Sequence, residues 1–120
     1  MIFKRSATGN LEVWRRNPNR KPLIIRGARQ TGKTTLVKEF AKSYSFHIYL
    51  NLEKSSDKDL FNIHLDVNSI VESLFLAANI PISSIGETLL IIDEIQVSPA
   101  AIQMLRYFYE EFPSLSVIAA

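Results

Sequence analysis

The chain has no cysteine, and His47 and His64 are the only histidines among its 120 residues. The lack of cysteine excludes a disulfide scaffold and a thiolate zinc site, and neither histidine lies in the HExxH spacing of a zinc hydrolase. No apolar run approaches the roughly 18 residues of a transmembrane helix, and the first residues lack the apolar segment of a signal peptide. We therefore expect a cytoplasmic protein without a membrane partner.

Charge is unevenly distributed, although the formal net charge is only +2. Residues 1–42 contain 11 of the 14 basic residues and two acidic ones, whereas residues 43–120 contain three basic and ten acidic residues. Such a basic segment indicates a polyanionic ligand or partner, or else a solvated basic face. Charge alone leaves both interpretations open.

Short apolar segments alternate with stretches of helical periodicity. The apolar segments predict four strands, at residues 22–27, 46–52, 88–92 and 115–119. Helices are predicted at residues 10–16 and 34–42, after Ser56-Asp57, from Ser69 with Glu72 in capping-box spacing, and after Ser98-Pro99. This alternation predicts a three-layer α/β/α fold with a parallel central sheet, and the two βα units between the first and third strands allow these strands to lie side by side.

Residues 27–34 fit the phosphate-loop pattern GxxxxGK[ST] at every fixed position. Gly27 permits a sharp turn out of the first strand, and Gly32 permits a close approach of the backbone to a phosphate. Lys33 would reach the β- and γ-phosphates, and the Thr34 hydroxyl would be a ligand of Mg²⁺. The nucleotide-binding residues predicted from this motif are Gly27, Ala28, Arg29, Gln30, Thr31, Gly32, Lys33, Thr34 and Thr35.

The third predicted strand ends in two carboxylates, Asp93 and Glu94. At the carboxyl edge of a parallel sheet, Asp93 would hold Mg²⁺ and Glu94 would orient and deprotonate the attacking water. Lys33 and Glu94 are therefore the predicted catalytic residues, and Thr34 and Asp93 the predicted metal ligands. The chain has no Asn-Lys-x-Asp guanine motif, which favours ATP over GTP.

Four segments together resemble a known family: residues 26–35, 51–53, 93–96 and 105–110. The sequence is similar to prokaryotic AAA-family ATP-binding proteins, in which an N-terminal ATPase domain precedes a C-terminal domain of unknown function. The resemblance implies an AAA-type fold, Mg-ATP binding and ATP hydrolysis, with Lys33, Thr34, Asp93 and Glu94 in the roles given above.

The resemblance also implies that residues 1–120 form a single, incomplete ATPase domain, truncated after the fourth strand. The polar sensor, the arginine finger, the fifth strand and the C-terminal domain of such proteins would follow. Expected partners are that domain in cis and a second copy of the chain that supplies an arginine in trans. Without them, we expect nucleotide binding with very slow turnover.

Two other functions are consistent with parts of the sequence. A P-loop kinase of small molecules would share the phosphate loop, and a nucleic-acid-binding NTPase module would use the basic segment. Packing is the simpler interpretation of Trp14 and of the aromatic cluster at residues 107–109, against contact with adenine or stacking on bases. Gln96 could reach the γ-phosphate, a neighbouring subunit or only the following helix.

Overall fold

The computed structural model describes residues 10–25, 33–63 and 66–120, with the backbone alone at residues 33 and 34. Most of the predicted phosphate loop, residues 27–32, lies outside the described residues. The structure describes Ile25, which precedes this loop, and the backbone from Lys33, at which α2 begins.

Four parallel strands form one sheet. They are β1 (Leu23–Ile24), β2 (Phe46–Asn51), β3 (Thr88–Asp93) and β4 (Ser116–Ala119). The order across the sheet is β1-β4-β3-β2, so the third strand does not take the place beside the first that the connection lengths allow. β4 takes that place because its chain segment pairs with both: Ile118 is in register with Leu23 of β1 and with Ile91 of β3.

Helices precede the sheet and connect its strands. Residues 10–16 are helical and are called α1; the others are α2 (Lys33–Ala41), α3 (Ser55–Ile63), α4 (Val67–Ala78) and α5 (Pro99–Glu111). Two short 3₁₀ helices, Ile82–Glu87 and Ile95–Val97, were not expected from the periodicity. Among the described residues, no helix has the length and apolar character needed to cross a membrane.

The two faces of the sheet belong to separate apolar clusters, because side chains alternate along each strand. Leu89 and Ile91 face a cluster with α1 and α2 that contains Leu11, Val37, Phe40, Ala41, Tyr44 and Ile118. Leu90 and Ile92 face a cluster with α3, α4 and α5 that includes Ile48, Leu50, Phe61, Ile70, Val71, Leu105, Phe108 and Val117. Helices on both faces of a parallel sheet confirm the predicted three-layer α/β/α architecture.

The helix caps agree with the sequence at α5 but not at α4. The Ser98 side chain accepts a hydrogen bond from the Ala101 amide at 3.1 Å, directly before Pro99, as predicted. For α4, however, the predicted capping box at Ser69 is wrong. Asp66 is the cap and accepts the Ser69 amide at 2.8 Å, which places Ser69 inside the first turn. An Asp side chain can satisfy this amide as well as a Ser can, so the helix starts earlier.

Candidate nucleotide site

Asp93 is the charged residue that ends the buried strand β3. All six positions of this strand are buried, and Asp93 itself is only 5% exposed. A carboxylate is costly to bury unless hydrogen bonds compensate for the lost water, so its partners in the fold are informative.

Both carboxylate oxygens of Asp93 accept hydrogen bonds. The Glu94 amide donates to Oδ1 at 2.9 Å, and the Tyr49 hydroxyl donates to Oδ2 at 2.6 Å. The two donors hold the carboxylate group from different sides. The arrangement holds a negative charge at the carboxyl edge of the sheet.

Tyr49 reaches Asp93 from the neighbouring strand. It lies two residues before Asn51, which is in register with Asp93, so the two side chains share one face of the sheet. Burial, and secondly the hydrogen bond to Asp93, raise the pKa of Tyr49 well above its ordinary value. The phenol therefore keeps its proton, and remains a donor, at neutral pH.

Glu94 has an unusual backbone conformation for a residue with a side chain. Its φ of 58° and ψ of 44° lie in the left-handed region, which favours glycine or asparagine. The Gln96 amide group donates to its Oε1 at 2.6 Å. This conformation turns the chain sharply out of β3 and presents the half-buried Glu94 side chain beside Asp93.

Backbone hydrogen bonds to the end of β4 fix the loop that carries Glu94. The Ala120 amide donates to the Ile92 carbonyl, and the Ile95 amide donates to the Ala120 carbonyl, both at 2.9 Å. The two bonds bracket Asp93 and Glu94, so the loop is anchored on both sides of the acidic pair.

The end of β2 closes the other side of the site. The Leu52 amide donates to the Asp93 carbonyl at 3.1 Å, and the Asn51 side chain accepts the Glu53 amide at 3.0 Å. Asp57, in the first turn of α3, accepts the Asn51 amide at 3.0 Å. The segment 51–53, one of the four that carry the family resemblance, thus adjoins Asp93.

The predicted phosphate loop joins the carboxyl end of β1 to the start of α2. The Ile25 amide donates to the Ala119 carbonyl at 2.8 Å, which puts this end of β1 level with the ends of β4 and β3. α2 then begins at Lys33. The backbone of Lys33 and Thr34 is thus helical, and Thr35 is exposed in the first turn. Residues 27–32, and with them the predicted contacts of Gly27, Ala28, Arg29, Gln30, Thr31 and Gly32, lie outside the described part of the chain.

The side chains at this edge suit a magnesium ion bound together with a nucleotide. Within the described residues, no group of three or more His, Asp or Glu side chains could hold a metal ion. Mg²⁺ in nucleotide enzymes is commonly held by one or two carboxylates together with phosphate oxygens and water. One buried carboxylate, next to a helix that starts after a phosphate-loop motif, fits that donor set.

Sequence reasoning named Asp93 and Glu94 but missed Tyr49. The signal for Tyr49 was available only in part: its spacing from Asn51 puts both residues on one face of β2, while the pairing of β2 with β3 is a property of the fold. Phe108 and Trp14 follow the packing interpretation, whereas Tyr107 is exposed. Phe108 is buried in the core, and the Trp14 indole packs on the α1–α2 cluster and donates to the Lys21 carbonyl at 2.7 Å.

A parallel sheet with helices on both faces, and a phosphate-loop sequence between β1 and α2, define the P-loop NTPase class of folds. The model of the family described as AAA domain matches residues 19–120. The chain therefore belongs to the AAA family and contains a nucleotide-binding module of that type. No curated protein matches the sequence, and no solved structure matches it.

Proposed function

We propose that the chain binds Mg-ATP and hydrolyses the bond to the γ-phosphate. The observation that supports this best is the acidic pair at the end of β3. Asp93 is buried and held by two hydrogen bonds, and Glu94 directly follows it in a strained conformation. Backbone strain of this kind persists where the surrounding structure enforces it, and it is concentrated at functional sites.

In this proposal, the phosphate loop binds the nucleotide and Asp93 faces the metal. The backbone amides at the start of α2 favour an anion, because they lack partners within the helix and the helix dipole is positive there. Lys33 adds a positive charge, and Thr34 and Asp93 are the side chains that would hold Mg²⁺. When bound, Mg²⁺ supplies neutralisation of charge that develops on the phosphate oxygens.

Glu94 has the role of general base. Its carboxylate orients a water molecule and takes up a proton from it as the water attacks the γ-phosphate. Gln96 donates to Oε1 of Glu94, which favours one orientation of the carboxylate. Asp93 does not take up this proton in the proposal. Its carboxylate accepts hydrogen bonds from the Tyr49 hydroxyl and the Glu94 amide instead.

Binding is tested by replacing the phosphate-loop lysine. Lys33→Ala should abolish the binding of Mg-ATP in titration calorimetry, because the loop loses its only predicted phosphate-binding ammonium group. Lys42→Ala is the matched control, since Lys42 follows the same helix and forms an exposed pair with Glu39 at 3.2 Å. Retention of wild-type affinity by Lys33→Ala would refute the nucleotide site.

Hydrolysis is tested by replacing Glu94. Glu94→Gln keeps the size of the side chain but removes the base, so single-turnover hydrolysis should slow about 10²- to 10⁴-fold while ATP binding is retained. Glu111→Gln, on the exposed end of α5, is the control. Equal rates in Glu94→Gln and the wild type would exclude Glu94 as the base and leave the binding proposal standing.

The identity of the labelled product separates hydrolysis from phosphoryl transfer. With γ-labelled ATP, we expect labelled inorganic phosphate as the product; a labelled small molecule from an acceptor screen would instead identify a kinase.

We also propose that a second copy of the chain supplies an arginine and that a C-terminal domain acts in cis, in the cytoplasm. A turnover number that rises with protein concentration would support the contribution of a second copy.

Two of the basic residues near the N-terminus, Arg15 and Arg20, form contacts within the fold. The Arg15 guanidinium lies 4.0 Å from the centre of the Tyr44 ring and donates to Ser43. Arg20 donates to the Ser114 carbonyl and to the Ser116 hydroxyl. Both side chains thus serve contacts within the fold, and we do not propose nucleic acid as a ligand.

A further inference from the structure

Tyr49 connects the predicted metal ligand to the helix that follows the phosphate loop. Its hydroxyl donates to Asp93 Oδ2 at 2.6 Å, and the Lys38 ammonium nitrogen on α2 lies 4.4 Å from the centre of its ring. The half-buried phenol therefore contacts both elements that would bind Mg-ATP, without belonging to the phosphate loop or to the acidic pair.

The hydrogen bond fixes an orientation that Asp93 would otherwise have to acquire. A donor on each oxygen restricts rotation of a carboxylate about its terminal bond, and Tyr49 and the Glu94 amide donate to different oxygens of Asp93. Donors of this kind orient metal-binding carboxylates before the metal arrives, and their loss commonly weakens metal affinity by about 10- to 100-fold. The Glu94 amide is backbone, so Tyr49 is the side chain of the pair that a substitution can remove.

We propose that Tyr49 is a positioning residue that holds the Asp93 carboxylate ready for Mg²⁺ and so makes nucleotide binding metal-dependent. This inference rests on the proposed Mg-ATP site. Through Asp93, β2 thus influences the metal indirectly, although this strand lies outside both nucleotide motifs. Because the phenol acts through Asp93, its loss should affect Mg-ATP and leave metal-free ATP unaffected.

The experiment compares the affinity for ATP with Mg²⁺ and the affinity for ATP with EDTA, both by titration calorimetry. For Tyr49→Phe, we expect the ratio of the two affinities to fall about 10-fold, with metal-free affinity unchanged. The substitution keeps the ring over which Lys38 lies. Tyr107→Phe is the matched control, because it removes an exposed hydroxyl on α5.

A double-mutant cycle separates an effect through Asp93 from a general structural effect. In an Asp93→Asn background the ratio should already be low, and adding Tyr49→Phe should lower it no further. The inference fails if Tyr49→Phe alone keeps or raises the wild-type ratio, or lowers both affinities equally. It also fails if the added substitution lowers the ratio further in the Asp93→Asn background, or if Tyr49→Phe does not fold, since the hydroxyl is assigned to the site and not to the fold. A wild-type chain that binds ATP in neither condition would instead refute the proposed function itself.

Discussion

Residues 93 to 96 combine two carboxylates, a left-handed backbone and an amide side chain within four positions. Asp93 is buried at the end of β3, whereas the Glu94 side chain is half exposed and accepts a hydrogen bond from Gln96. The two carboxylates are thus in different surroundings although they are adjacent in sequence. Different surroundings allow one acidic residue to face a metal and its neighbour to act as a base.

We predict that Gln96→Ala slows hydrolysis without changing the affinity for Mg-ATP. The Gln96 amide group orients Glu94 through one hydrogen bond, and a net contribution of about 1 kcal/mol corresponds to roughly a fivefold lower turnover number. Steady-state kinetics would show the effect in kcat and not in KM. Gln103→Ala, an exposed residue of α5, should behave as the wild type; a lower Mg-ATP affinity of Gln96→Ala would place Gln96 on the nucleotide instead.

The residue-scale details divide into those with a local signal and those without one. Asp93 was predictable, because a run of four aliphatic residues ends at it. The conformation of Glu94 was not, since glutamate has no preference for positive φ and only the surrounding fold imposes it. The Tyr49 contact was hidden for another reason: it joins residues 44 positions apart, on two strands whose pairing no local pattern specifies.

At the scale of elements, the agreement between sequence and structure depends on burial. The sequence predicted β3 well, because both faces of this strand are covered and its four central residues are all aliphatic. The order of the strands in the sheet could not be predicted, because the lengths of the connections allow either β3 or β4 to lie beside β1. Helix starts fall between these cases, since Asp66 and Ser69 both carry suitable capping side chains.

The two candidates for the α4 cap can be distinguished by stability. Asp66→Ala removes the acceptor of the Ser69 amide and should lower the free energy of unfolding by about 1 kcal/mol. Ser69→Ala should have less effect, because its hydroxyl only donates to Asp66 at 3.3 Å. Urea denaturation monitored by circular dichroism measures both. The reverse order of effects would restore the capping box that the sequence suggested.

At the scale of the whole molecule, the sheet brings together the two differently charged parts of the chain. Lys33 belongs to the basic first third, and Asp93 and Glu94 belong to the acidic remainder. The order β1-β4-β3-β2 aligns the carboxyl ends from which these residues follow. The fold therefore brings the start of α2, in the basic part of the chain, and the acidic pair to the same edge of the sheet.

The stability of the whole fold should fall in alkaline solution, in part through Tyr44. Burial raises the pKa of Tyr44 above the ordinary 10.0, despite the opposing influence of Arg15. Above that pH the unfolded chain loses the phenol proton while the folded chain retains it, so unfolding is favoured by up to about 1.4 kcal/mol per pH unit. This stabilising contribution is complete below the unfolded pKa and is lost as the pH rises towards the folded pKa.

Tyr44→Phe lacks this titration, so its stability relative to the wild type should increase above pH 10.0 and stay constant below it. Urea unfolding at a series of pH values measures the difference, and Tyr107→Phe controls for the loss of an exposed phenol. A difference that does not vary with pH would show that burial of Tyr44 does not affect its ionisation.

The hydrogen bonds of Ala120 couple the end of β4 to the loop that carries Glu94. The Ala120 amide is bonded to Ile92, and the Ala120 carbonyl is bonded to Ile95. A shift of β4 along its own axis would therefore also move Glu94, which lies between them. β4 is hydrogen-bonded to β1 as well, the strand from which the phosphate loop departs. A displacement of β4 would therefore be transmitted to both halves of the proposed nucleotide site together.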